Sequence, residues 1–158
     1  GFPYEEFALK ARAWMKARMA DAGPPVKPGV RELLGFLSGR KIPIALATST
    51  SEASARWMIE RAGLTAFFGA FAFGSEVRNG KPSPDIFLLA MNRLGVTAAA
   101  SCVVFEDSPA GIKAAHSAGM KPVFVPDMVQ PGSDVLSLVW KRIGRLDEAA
   151  SGDFYRGL

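Results

Sequence analysis

Val103-Val104-Phe105-Glu106-Asp107-Ser108-Pro109-Ala110-Gly111 is an apolar run that ends on two acids and turns at once into a helix start. With Cys102 in front, residues 102–105 form the short continuous apolar run of a strand covered on both faces. Ser108 followed by Pro109 is a cap followed by the proline that suits a first helical turn. This predicts a helix ending near Gly119, and residues 122–125 then read as a further strand. A buried strand, a polar turn, a helix and another strand make one unit of an α/β fold.

Upstream, the unit recurs. Ile42-Pro43-Ile44-Ala45-Leu46-Ala47 is a second apolar run, with its proline near the start, where a strand tolerates one. Thr48-Ser49-Thr50-Ser51 follows, then a helix over residues 52–62 that stops at Gly63. A short strand at 71–73, a polar segment at 74–82 and a Ser83-Pro84 helix start come next, with that helix running to Leu94 and ending at Gly95. Residues 4–21 read as an amphipathic helix with Phe7, Trp14 and Met15 on its apolar face. Gly23-Pro24-Pro25 and Lys27-Pro28-Gly29 break it, and residues 30–37 form a short helix before Gly39. The tail from 135 to 150 reads as a short strand or helix and a weak final helix. Strands alternating with helices from 42 to 125 predict a Rossmann-like parallel sheet with helices on both faces. The polar residues cluster just after strand C-termini, where open α/β sheets hold their ligands.

Composition is consistent with this class. The chain has 158 residues, 49% hydrophobic and 22% charged, ordinary for one globular domain with a substantial core. No apolar run is long enough to span a bilayer, and Gly1-Phe2-Pro3-Tyr4-Glu5-Glu6 lacks the pattern of a secretory signal. One cysteine, Cys102, excludes an internal disulfide and a cysteine-based zinc site. The expectation is a cytoplasmic protein with no membrane partner. The net charge of +4 includes a basic group at Lys10, Arg12, Lys16 and Arg18. No nucleic-acid motif accompanies it, so it reads as a solvated helix face, and no nucleic-acid partner is expected.

Three clusters carry candidate chemistry. Thr48 and Ser49 close a strand and offer a hydroxyl and backbone N–H groups before a helix, an arrangement that suits a phosphoryl group. The bland alternative is a helix cap from Thr50 or Ser51. Lys81, held in Gly80-Lys81-Pro82-Ser83-Pro84-Asp85, is either a constrained cation for phosphate or an exposed loop lysine, while Asp85 supports the helix start. Glu106-Asp107, two acids ending a buried strand, need solvent or a cation. Hard oxygens favour magnesium; the alternative is a capped strand-to-helix turn.

Leu46-Ala47-Thr48-Ser49, the Gly80–Asp85 run and Val104-Phe105-Glu106-Asp107-Ser108-Pro109-Ala110-Gly111, with Gly119-Met120 after them, resemble the second, third and fourth motifs of the haloacid dehalogenase superfamily. The similarity is greatest to its helical-cap branch of β-phosphoglucomutases and sugar-phosphate or nucleotide phosphatases, and covers most of the chain through Asp127. It implies a magnesium-dependent phosphatase of a small phosphorylated metabolite. Thr48 and Ser49 would meet the transferring phosphoryl group, Lys81 would stabilise its charge, and Asp107 would bind Mg2+ with Glu106 as second ligand or near neighbour.

The family's first motif is an Asp-x-Asp pair, one aspartate attacking phosphorus and the other acting as general acid and base. This sequence contains no Asp-x-Asp. Asp21, the only aspartate before Thr48, sits at a helix end and is a poor nucleophile. The resemblance therefore divides the chain into residues 1–26, a remnant of a helical cap, and residues 27–158, a core lacking its first strand, inactive as it stands. Two alternatives remain. A phosphomutase of the β-phosphoglucomutase type carries a Lys-Asn pair where this chain has Ser51-Glu52, and the glutamate would repel a second phosphate. A non-catalytic phosphate- or partner-binding remnant is the other.

The absent strand would lie between those ending at Thr48 and Phe105. Those two are expected to close up and pair directly, leaving marginal stability; another chain inserting a strand, or an open gap, are the other outcomes. His116 and Cys102 read as surface or packing and as structural, respectively. Trp14, Trp57, Met58 and Trp140 read as packing residues, and Arg56 and Arg61 as solvent-exposed.

Overall fold

The computed structural model describes residues 3–158, excluding the side chains of Ala8, Arg12, Met15, Lys16, Ala20, Asp21 and Ala22. Met15 of the expected apolar face, Arg12 and Lys16 of the basic group, and Asp21 thus lie outside the described side chains.

The first helix, α1 (Tyr4–Ala22), ends where Gly23 takes a φ of 72° and donates its N–H to the Met19 carbonyl. Its described aromatic residues do not form a buried stripe: Phe7 is 57% and Trp14 61% exposed. Arg18 lies over the Trp14 ring, and Lys10 pairs with Glu6 along the same helix. The described part of the expected apolar face, Phe7 and Trp14, is therefore turned outward. In α2 (Val30–Gly39), by contrast, Leu33, Leu34 and Leu37 are buried at the spacing of one helical face.

The remaining regular elements are β1 (Ala45–Thr48), α3 (Glu52–Arg61), β2 (Ala70–Phe73), α4 (Asp85–Arg93), β3 (Val103–Glu106), α5 (Pro109–Ser117), β4 (Lys121–Phe124), α6 (Ser133–Leu136) and β5 (Lys141–Arg142). Short 3₁₀ turns at Leu146–Ala149 and Gly152–Tyr155 finish the chain. The α/β class and the parallel strands are as expected. Residues 42–44 are not strand: Pro43 has no N–H to give a ladder, and Ile42 is exposed. The tail forms α6, the two-residue β5 and the 3₁₀ turns in place of a final α-helix.

The strands form two separate sheets. β1 pairs in parallel with β2, Ala45 opposite Ala70, and β3, β4 and β5 form a parallel triplet in that order. The expected direct pairing of β1 with β3 does not occur, and no strand among the described residues lies between them. An apolar cleft of about 830 Å³ separates them, lined by Ala45, Ala47, Val103 and Phe105 among others. Both bordering strands are half-buried along their length, while β2 and β4 are largely buried.

Packing explains why the sheets stay apart. On one face α4 and α5 bury Ile86, Phe87, Ala90, Ala114 and Ala115 against Ala45, Ala47 and Ala72 of one sheet and Val104 of the other. On the opposite face α2 sends Leu33 and Leu37 toward Val123, Phe105 and Leu146, and Leu34 toward Ile44 and Leu64. Bringing β1 onto β3 would require re-packing both helical layers. Interiors at crystal-like density resist such a shift.

Candidate active site

Every candidate lies at or beyond a strand C-terminus. Thr48 is the last residue of β1, and its Oγ1 accepts the Thr50 N–H at 3.1 Å. This folds the turn back and leaves the threonine's own proton to give to an oxygen. The cap alternative from Ser51 is not realised: its hydroxyl donates to Ser54 Oγ at 3.0 Å, and α3 has no side-chain cap. The first-turn N–H groups of α3 are therefore not taken up by that residue, and Thr50 uses its own N–H for the turn. Ser49 is exposed, with its backbone close against Gly74, where an added Cβ would come within 3.2 Å. Glu52 pairs with Arg56 at 2.7 Å, and Arg56 also lies over the rings of Phe71 and Phe73.

The loop before α4 is tied down at several points. Asp85 accepts from the backbone N–H and the side-chain amide of Asn79, at 3.2 and 3.1 Å, and from the Ser83 hydroxyl. The Ser83 hydrogen bond foremost, with Asn79, holds the Asp85 carboxyl below its usual range. The helix begins at Asp85 rather than just after Ser83, a shift within the usual fraying of helix ends. On the strand side, Glu76 binds Arg93 through both carboxylate oxygens, at 2.8 and 2.9 Å, and accepts the Phe73 N–H at 2.9 Å. Arg93 first, and the Phe73 N–H second, draw the Glu76 carboxyl down to about 2.

Between these ties Lys81 is turned inward, its side chain only 13% exposed, and donates to Glu106 Oε1. Its ammonium also lies 4.7 Å from the centre of the Phe87 ring. Lys81 is thus not an exposed loop lysine. Glu106, 8% exposed, has its other oxygen engaged by the Ser108 hydroxyl at 3.0 Å and by the N–H groups of Asp107 and Ser108 at longer range. Ser108 in turn accepts the Gly111 N–H at 3.0 Å and caps α5, with Pro109 in the first turn. A side chain at Gly111 would collide with the Glu106 carboxylate, so this helix start requires glycine there.

Asp107 points elsewhere. Its carboxylate, 42% exposed, is 3.3 Å from the Lys27 ammonium, which also reaches Asp127 at 2.8 Å. Burial lowers the Lys27 pKa, but the Asp127 and Asp107 carboxylates together outweigh it, and the net direction is up. Lys27 and Asp127 had no role in the sequence reading. Asp127 had a weak signal, since it lies shortly after β4 while Asp107 directly follows β3; Lys27 had none, because it precedes a helix in a proline-rich connection.

Thr48 and Glu106 line the same cleft, Lys81 touches Glu106, and Asp107 follows it. These residues offer a hydroxyl donor at the end of β1, an inward cation on Glu106 and a solvent-reachable carboxylate just after β3. Among the described residues no group of three or more histidine, cysteine or acidic side chains could hold a metal by itself. His116 is exposed on α5, and Cys102 is half-buried with its thiol pushed up by burial. Arg61 is exposed; Trp57, Met58 and Trp140 are half-buried.

The chain is 45% identical over 97 residues to the phosphorylated carbohydrates phosphatase of Thermotoga maritima, covering 61% of this chain and 44% of that protein. To fructose-1-phosphate phosphatase YqaB of Escherichia coli it is 42% identical over 87 residues, or 55% of this chain and 45% of that one. The crystal structure of CbbY from Rhodobacter sphaeroides, in complex with xylulose-(1,5)bisphosphate, superposes with a TM-score of 0.75 at 28% identity, over 84% of this chain and 59% of that chain. The chain spans about half the length of the curated relatives it matches. Residues 6–119 match the model of one family, the haloacid dehalogenase-like hydrolases, and the chain belongs to it.

Proposed function

We propose that this chain is the phosphate- and magnesium-handling part of a phosphatase for small phosphorylated metabolites, of the sugar-phosphate or nucleotide-like kind. The observation that carries the proposal is the inward Lys81–Glu106 ion pair, with Asp107 next to Glu106 in the chain and Thr48 lining the same cleft as Glu106. A cation held in this way can neutralise a developing phosphoryl charge without reorganising. The relatives named for phosphorylated carbohydrates and fructose 1-phosphate, and the bisphosphate in the CbbY complex, support the sugar-phosphate class.

Thr48 would donate its hydroxyl proton, and Ser49 its N–H, to phosphoryl oxygens. Lys81 would stay on Glu106 while facing the same oxygens. The donor chemistry at Asp107 fits magnesium: a hard carboxylate oxygen reached by solvent, with waters and phosphate oxygens completing the shell. Glu106, already engaged by Lys81 and Ser108, would serve as its close neighbour. When bound, magnesium would supply positive charge to the phosphoryl oxygens. Residues 1–26 would belong to a helical cap and residues 27–158 to the core.

No Asp-x-Asp exists in the sequence to supply nucleophile and acid, so the 158-residue chain should release no phosphate from its esters. It should still bind phosphate. In the presence of Mg2+, inorganic phosphate should shift the backbone amide signals of Thr48, Ser49 and Lys81. Lys81→Met, with the rest of its spectrum intact, should weaken that response at least about tenfold, the loss of one charge-assisted contact. Shifts confined to other surfaces, or a response that Lys81→Met leaves unchanged, would refute the site.

A further inference from the structure

Lys27 lies in the connection between α1 and α2, yet its ammonium reaches past the ends of two neighbouring strands. Asp107 follows β3 and Asp127 lies just beyond β4, and Lys27 bridges them at 3.3 and 2.8 Å. This is not a lysine swinging in solvent. Its backbone is seated by the residues after it: the Leu146 N–H donates to the Pro28 carbonyl, and Gly29, at a φ of 85°, lies so close to Asp147 that no Cβ would fit. Val30 donates back to the Lys27 carbonyl at 3.3 Å. A packed connection therefore fixes a positive charge beside the carboxylate that faces solvent at the candidate site. The other cation there, Lys81, is committed to Glu106, so the two lysines divide the two acids between them.

We propose that Lys27 is a positioning residue for the cation site at Asp107, a tethered counter-charge that holds the Asp107 carboxylate ready and keeps divalent-cation binding there weak and exchangeable. The inference rests on Asp107 being a cation ligand. Lys27 competes for Asp107 in the absence of a divalent ion and remains anchored on Asp127 when one binds. Asp127 sets the balance: by drawing the ammonium toward β4, it leaves Asp107 partly available. Two removals should consequently act in opposite directions. Without the lysine charge the divalent ion meets less repulsion; without the Asp127 charge the ammonium settles wholly on Asp107.

The test is a Mn2+ titration of the full 158-residue chain, followed by paramagnetic broadening of the Asp107 and Ser108 amide signals, which responds even to weak binding. Lys27→Met should lower the Mn2+ concentration at half-effect by about fivefold, the scale of one unit charge at this distance in a half-exposed, screened setting. Lys27→Arg, which keeps the charge, should behave like the unaltered chain, and Asp127→Asn should raise the half-effect concentration. Loss of packing alone would weaken binding in every variant and could not yield the tightening in Lys27→Met. Equal half-effects in Lys27→Met and the unaltered chain, with broadening at Asp107 that Asp107→Asn abolishes, would overturn the role of Lys27 while sparing the cation site. Broadening absent at Asp107 in every variant, Lys27→Met included, would overturn both.

Discussion

Two glycines in helices of this chain meet opposite surroundings. Gly111, in the first turn of α5, faces the Glu106 carboxylate, whereas Gly35, on the exposed side of α2, has nothing within 4 Å of where a Cβ would stand. Gly111→Ala must displace Glu106, and with it the Lys81 ion pair and the Ser108 hydrogen bond. Overpacking of this kind costs about 1–3 kcal/mol. Gly35→Ala gains helix propensity with no clash, about 0.5–1 kcal/mol. Urea midpoints should therefore move in opposite directions for the same chemical change; a Gly111→Ala chain as stable as the parent would mean that Glu106 is free to move. The ends of β1 and β3 were legible as candidate positions because each follows an apolar run directly. The Lys27 bridge was not legible, because it joins three residues far apart in the chain, and Lys27 and Asp127 stand outside the motifs that carry Asp107.

Between residue and fold stands the segment from β2 to α4, which carries Lys81. It is held at its base by Glu76 against Arg93 and the Phe73 N–H, while Arg93 also donates to the Phe71 carbonyl at 2.6 Å. The Glu76 carboxyl lies at about 2 in the folded chain against an ordinary 4.5. Its folded value is depressed, so its contribution is fully present above about pH 4.5, declines as pH falls, and is gone once pH has passed below about 2. Stability measured by urea from pH 6 to pH 2 should fall in this window by more than in Glu76→Gln. Parallel curves for the two chains would show that the clamp carries no pH-dependent stability. Element types were largely legible, since strand runs and capped helix starts are local signals. The outward face of α1 was not, because whether an apolar stripe is covered depends on what packs against it.

At the scale of the whole molecule the question is what two sheets do with a cleft between them. In a parallel ladder the N–H and C=O of one residue point to the same side, and alternate residues point to opposite sides. The carbonyls of Ile44, Cys102 and Glu106 accept hydrogen bonds from the paired side, from Gly69, Lys121 and Val125. Leu46, Thr48 and Val104 follow the same parity, so Ala45, Ala47, Val103 and Phe105 turn their peptide groups toward the cleft, with no partner strand among the described residues. The Tyr155 hydroxyl, beside the same cleft, also lacks a hydrogen-bond partner among the described residues, and burial pushes its pKa up to about 12. Unpaired peptide groups are tolerable only where water reaches them. The half-exposure of β1 and β3 provides that access, at the expense of apolar burial along an 830 Å³ cleft. Native-state hydrogen exchange should therefore alternate along both strands. The amides of Ala45, Ala47, Val103 and Phe105 should exchange at least about a hundredfold faster than those of Leu46, Val104 and Glu106, because solvent-facing amides need little opening while ladder amides need local or global unfolding. Uniform strong protection along β1 and β3 would mean that the cleft is closed in solution, by slippage of the two sheets together or by a strand from another copy. A concentration-dependent rise in protection would select the second cause.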